Sequence, residues 1–190
     1  MTQRRIYQVE YPYFVTFRTR EGFRVFEERA RAALLVRIMR QTCRMKGYNL
    51  LGWQIMLDHV HILIHQLGTA PTAGCGGRND NIPRAHPAVG ARLHHAKRCA
   101  GTAARARRFS ISDLLHGIKS YYCKELRTHH NITFPFFQLR FYTRIVTTDE
   151  YFRTIIRYLI FNPIKAELPK SYRRIPYQYV DWKMVNRLLV

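Results

Sequence analysis

Acidic residues are scarce in this chain. Twelve Asp and Glu stand against 32 Lys and Arg, leaving a net charge of +20 over 190 residues and an isoelectric point near 10.5. That imbalance points to a polyanionic partner, because each neutralised phosphate releases a condensed counterion. Long apolar runs are missing as well: nothing approaches the roughly 20 apolar residues of a spanning helix. The N-terminus MTQRRIYQVE has no apolar h-region, and no basic amphipathic helix stands apart as a membrane anchor. Nucleic acid is the expected partner and a membrane is not. Cysteines are few, and Cys43, Cys75, Cys99 and Cys123 form no C-x-x-C pair. Cys75 and Cys99 flank His94 and His95, but the spacing fits no usual zinc pattern, so reduced thiols in a soluble cytoplasmic protein are expected.

What the chain does have is a core. It is 47% hydrophobic and 13% aromatic, far from a disordered composition, and its length suits a single domain over residues 1–190. Residues 11–19 (YPYFVTFRT) read as a strand, and residues 25–47 as a helix through Phe26, Ala30, Ala33, Leu34, Ile38 and Met45, closed by Gly47. Residues 49–57 (NLLGWQIML) and 59–66 (HVHILIHQ) form a hairpin turned at Asp58. From 68 to 108 the chain is rich in Gly, Ala, Pro and Arg, with eight basic residues against the single acid Asp80. A flexible basic insertion is expected there, serving either as a non-specific DNA clamp or simply as a solvated loop. A helix follows at 110–130, capped by Ser110 and Asp113. A fourth strand is expected over 134–146 and a last helix from Thr148 to Asn162, ended by Pro163. The tail 168–190 is aromatic and basic and wraps the core before a short terminal helix. The order β, α, β, β, insertion, α, β, α implies an α+β fold, a ferredoxin-like four-stranded antiparallel sheet with helices packed on it.

In the strand LDHVHILIHQ, His59 and His61 share a face, and their Cα atoms lie about 6–7 Å apart, close enough to converge on one ion. His65 shares that face but lies roughly 13 Å along the strand, too far for the same ion, and is expected at the surface or facing DNA. On the last helix Tyr158 and Asn162 are one turn apart and project to one flank, while Phe152, Ile155, Ile156, Leu159 and Ile160 form the core face. Alone, each motif has a plainer explanation: chance histidines on a half-buried strand, and a boundary tyrosine.

Together they resemble the single-tyrosine HUH transposases of the insertion-sequence superfamily, in particular the REP-associated tyrosine transposases. The histidine–hydrophobic–histidine element matches His59–Val60–His61 after GWQIML. The late signature, a tyrosine four residues before Asn-Pro and a basic residue, matches YLIFNPIKAEL, that is Tyr158, Asn162, Pro163 and Lys165. YFVTFRT, LLHGIKSYY and FYTRIV extend the likeness over nearly the whole chain outside 68–108 and the tail. The chain departs from the pattern at Leu57–Asp58 in place of Pro-Asn, at Thr143 in place of an aspartate, and at Glu167 in place of a glycine.

The resemblance implies Mg²⁺ or Mn²⁺ held by His59, His61 and Asn162; Asp58, though a departure from the pattern, suits a tight turn and is placed to hydrogen-bond a ligand imidazole. It implies Tyr158 as the nucleophile that cuts single-stranded DNA at hairpin-flanked sites through a 5′-phosphotyrosine. Lys119, Arg140, Tyr142, Arg144, Arg157 and Lys165 are expected, as a group, to track phosphates and stack unpaired bases. No Tyr-x-x-x-Tyr pair lies on the last helix, which argues against a two-tyrosine replication initiator. The family includes dimers and monomers, so a homodimer is open, as is whether Tyr158 meets the histidines of its own chain. Three competitors remain: a domesticated or inactive relative that binds hairpin DNA or RNA without cleavage, a basic RNA-binding module with incidental histidines, and a metal-dependent hydrolase.

Overall fold

A computed structural model describes residues 10–66, 109–132 and 136–189. The expected insertion at 68–108, with Cys75 and Cys99, lies outside them. The described chain forms five strands and four α-helices: β1 (Tyr13–Arg18), α1 (Arg29–Met45), β2 (Tyr48–Ile55), β3 (His59–Gln66), α2 (Ile111–His130), β4 (Tyr142–Ile145), α3 (Asp149–Lys165), β5 (Gln178–Val180) and α4 (Trp182–Leu188). One sheet runs in the order β4-β1-β3-β2-β5, and every neighbouring pair is antiparallel.

Alternation along the strands divides the core in two. Tyr13, Val15 and Phe17 of β1 and Val60, Ile62 and Ile64 of β3 point to one side, where Leu35, Ile38 and Met39 of α1 and Leu115, Ile118 and Tyr122 of α2 cover them. Phe14 and Leu63 point to the other side, against Phe152, Ile155, Ile156 and Leu159 of α3 and Val185 of α4. Each fully buried large apolar side chain contributes about 1.5–3 kcal/mol, so α3 is held firmly by its apolar face. Gly52 on β2 lets β5 and α3 approach: a Cβ there would lie 3.0 Å from the Tyr179 carbonyl oxygen and 3.7 Å from Leu159 Cδ1.

The α+β class and the antiparallel sheet are as expected, and the structure adds a fifth strand drawn from the tail. The tail does wrap the core: Ile55 N–H donates to the Tyr177 carbonyl at 2.7 Å, and Trp53 Nε1 donates to the Pro176 carbonyl at 2.8 Å. α2 starts in a capping box between Ser110 and Asp113. Three local expectations are corrected. The first helix begins at Arg29, because Val25–Glu27 form a separate 3-10 turn. The fourth strand shrinks to Tyr142–Ile145: Phe136 and Phe137 leave the strand path to fill the α1–α2 core, with Phe137 keeping one bridge to Thr19. Pro163 does not end the last helix; α3 continues through it to Lys165.

Candidate active site

The strand register sets one residue from each strand in a single row across the sheet. Tyr142 pairs with Thr16, Thr16 with His61, His61 with Gln54, and Gln54 with Gln178. The hydrogen bonds and ring contacts of Thr16, His61, Gln54 and Gln178 place them on the face covered by α3. His61, at the middle of the row, is 3% exposed.

Both histidines are oriented by a neighbour on Nδ1. Asp58 Oδ1 lies 2.6 Å from His59 Nδ1, and because a carboxylate only accepts, His59 carries its proton there. Thr16 Oγ1 lies 2.8 Å from His61 Nδ1. His61 thereby presents Nε2 to the Tyr158 hydroxyl of α3, and a carboxylate or hydroxyl partner of this kind fixes the orientation of an imidazole. Burial pushes the imidazolium pKa of His61 down to about 3, with His59 and Arg18 acting in the same direction and Asp58 opposing. At neutral pH the ring is therefore uncharged, and one of its two nitrogens carries a lone pair.

The helix delivers Tyr158 to His61 Nε2. Thr148 caps α3, its Oγ1 accepting from Tyr151 N–H at 3.2 Å, and the apolar face fixes the helix rotation. The Tyr158 hydroxyl then stands 3.3 Å from His61 Nε2, across 97 residues of the same chain. The ring lies edge-on to His61 at 5.1 Å between centroids and edge-on to Phe14 at 5.8 Å, while Phe14 stacks on His61 at 5.5 Å. The His59 and His61 rings are 4.9 Å apart. Tyr158 remains 40% exposed.

These donors suit a divalent cation. Among the described residues no three His, Cys, Asp or Glu converge on one point. Asn162, one turn after Tyr158, is partly buried, and its Nδ2 is buried without a hydrogen-bond partner. An unsatisfied amide donor one turn from Tyr158 is consistent with a site that takes an acceptor group.

The other sequence-predicted residues divide. Tyr142 and Arg144 share a face of β4, and the Arg144 guanidinium sits 5.5 Å from the Tyr142 ring centroid. Arg144 also hydrogen-bonds Tyr151, the main cause of its raised pKa. Arg157 and Lys165 are exposed on α3, and Arg140 is exposed ahead of β4. Lys119 does not join them. It lies on α2, donates to the Gln138 carbonyl at 2.7 Å, and sits 5.8–5.9 Å from the Phe17, Phe137 and Phe141 rings, on the opposite side of the sheet from Tyr158. His65 is only partly exposed, and its Nε2 is buried without a partner, so it is less open than a surface residue. Sequence reasoning missed Thr16, whose one signal is a lone hydroxyl in the apolar strand YFVTF. It also missed Phe161, which is 54% exposed on α3 between Arg157 and Lys165 at i+4 spacing.

The family model described as "Transposase IS200 like" matches residues 6–71, a span that includes β1 through β3 and both histidines. The chain resembles the IS200-like transposases. Among solved structures, a REP-associated tyrosine transposase bound to a REP hairpin aligns at a TM-score of 0.62 and 16% identity, over 100% of this chain and 88% of that one. A candidate transposase from Deinococcus radiodurans R1 aligns at 0.44 and 16% identity, over 88% of this chain and 98% of that one. No curated protein matches the sequence. The resemblance to single-tyrosine transposases holds both in this family match and in the fold. The family match ends before α2, so the place of Tyr158 in the site rests on its geometry against His61. None of the described helices is long and apolar enough to cross a membrane.

Proposed function

We propose that the chain is a single-stranded DNA nicking and joining enzyme of the transposase type, acting at hairpin-flanked sites with Tyr158 as nucleophile. The observation that carries this is the Tyr158 hydroxyl at 3.3 Å from His61 Nε2, a nucleophile and an oriented imidazole brought together from distant segments. The solved relative bound to a REP hairpin supports hairpin DNA as the substrate class.

His59 and His61, through Nε2, and the Asn162 amide would hold Mg²⁺ or Mn²⁺. Such an ion supplies Lewis-acid polarisation of the scissile phosphate and offsets charge developing on its oxygens. The protein's own residues do the rest. Asp58 holds His59 in one tautomer, with its proton on Nδ1, and Thr16 holds the pose of the His61 ring. Phe14 packs against the His61 and Tyr158 rings and limits their motion. The Tyr158 oxygen attacks phosphorus, the P–O3′ bond breaks, and a 5′-phosphotyrosine and a free 3′-OH result. The exchange replaces one phosphodiester by another, so rejoining by the 3′-OH needs no nucleotide cofactor. On the exposed side of α3, Arg157, Phe161 and Lys165 form a basic–aromatic–basic stripe about 6 Å per step, suited to following a single strand past Tyr158. Arg144 and Tyr142 lie at the β4 edge of the same sheet face.

The test is incubation of the protein with single-stranded hairpin DNA and Mg²⁺ or Mn²⁺, followed by denaturing electrophoresis. A covalent adduct is expected for the wild type and none for Tyr158→Phe. Absence of an adduct across varied hairpins, with binding retained, would identify a relative that binds without cutting.

A further inference from the structure

Pro163 sits inside α3. It has no N–H, so the Leu159 carbonyl, four residues earlier, loses its helical donor. A buried carbonyl left in that state destabilises the helix, and here it lies one residue from Tyr158. The structure supplies a replacement from another element. Gln178 Nε2, on β5, lies 3.1 Å from the Leu159 oxygen and 3.1 Å from the Ile160 oxygen. The same amide nitrogen lies 2.6 Å from Gln54 Oε1. Gln54 is fully buried and is itself anchored, its Nε2 donating to the carbonyls of Ile55 at 3.0 Å and Tyr172 at 3.3 Å. Gln54 is also the β2 register partner of His61.

We infer that Gln178 is a positioning residue: its side-chain amide replaces the hydrogen bond that Pro163 deletes and ties the nucleophile helix to the strand row that holds His61. The two ends of the site are thereby fixed to one frame. Thr16 orients His61 from β1, and Gln178 holds the Leu159–Ile160 turn of α3 from β5. Tyr158 and Asn162 flank that turn on either side, so its carbonyls set how far both side chains stand from the sheet. A proline in the helix would otherwise leave that turn free to tilt. The catalytic consequence rests on Tyr158 being the nucleophile; the structural one does not.

Gln178→Met keeps the volume and removes the donor. Pro163→Ala returns a backbone N–H to the Leu159 carbonyl, so it should make the donor at 178 dispensable. In the full-length protein, nuclear Overhauser cross-peaks between the Tyr158 and His61 rings, 5.1 Å apart at their centroids, report the position directly and need no DNA. They are expected to weaken or vanish in Gln178→Met and to return in Pro163→Ala/Gln178→Met. The rate of adduct formation at saturating hairpin DNA should fall roughly ten- to hundredfold in Gln178→Met, with DNA affinity unchanged, and recover in the double variant. If Gln178→Met fails to fold while the double variant folds, the clamp is supported in stronger form. Unchanged cross-peaks in Gln178→Met, or a loss of equal size with and without Pro163, overturns the inference, as does failure of both variants to fold. If the cross-peaks follow the prediction but the wild type forms no adduct, it is the nicking activity that fails and not the clamp.

Discussion

At the scale of single residues, the proposed site would depend on partners set back from the substrate. Thr16 and Asp58 each take one imidazole Nδ1, and partners of this kind typically change metal affinity or activity by about 10–100-fold. Thr16→Val should therefore lower Mn²⁺ affinity and adduct formation by roughly that factor, whereas Thr16→Ser should retain both; titration of Mn²⁺ into the two variants checks it. Glu167 carries a different residue-scale consequence. Its φ is +52°, in the left-handed region where a side chain costs about 1–2 kcal/mol. This is also where the resembled family has glycine, so the backbone explains that glycine without reference to chemistry. Glu167→Gly should stabilise the protein by about 0.5–1 kcal/mol once the extra freedom of the unfolded chain is subtracted. Removing an acid beside the C-terminal end of α3 helps in the same direction. A urea titration that showed destabilisation would contradict this account of the position.

At the scale of elements, α3 presents three distinct flanks. Its apolar flank docks on Phe14, Leu51 and Leu63, Tyr158 meets His61 from a second flank, and Arg157, Phe161 and Lys165 form a stripe alongside. Stacking a base on an exposed aromatic contributes about 1–3 kcal/mol, so Phe161→Ala should weaken binding of single-stranded DNA by about tenfold or more. The fold itself should be unaffected, since Phe161 is 54% exposed. Fluorescence anisotropy with a labelled strand measures it. The periodicity of α3 was legible in the sequence, and so were the flank shared by Tyr158 and Asn162 and the alternation that pairs His59 with His61. The passage of the helix through Pro163 was not. A proline without a donor reads locally as a stop, and the compensating amide of Gln178 sits on a three-residue strand in the tail, too short for a periodic signal. Thr16 was hidden for a similar reason: its partner His61 is 45 residues away, and only the register of β1 against β3 reveals the contact. Lys119 was misplaced because a basic residue on a helix carries no mark of which sheet face that helix covers.

At the scale of the whole molecule, Tyr158 meets His61 within one chain. A site built this way needs no exchange of helices between subunits. Mixing His61→Ala with Tyr158→Phe protein should therefore not restore adduct formation; recovery in the mixture would mean that two chains share a site in solution. On the proposed function, the net charge of +20 would attract DNA without regard to sequence, while the row of side chains across the sheet would confine chemistry to one point on it. The charge and the α+β class were readable from composition and element order. The assembly of the row was not, because it depends on five strands drawn from the length of the chain.

The central claim is that Tyr158 becomes covalently joined to DNA. Digestion of the adduct formed with hairpin single-stranded DNA, followed by mass spectrometry of the peptides, tests it most directly. A nucleotide attached to the peptide containing Tyr158, and absent in Tyr158→Phe, is the predicted result. A nucleotide on Tyr151 or Tyr142, or an adduct that persists in Tyr158→Phe, would contradict it.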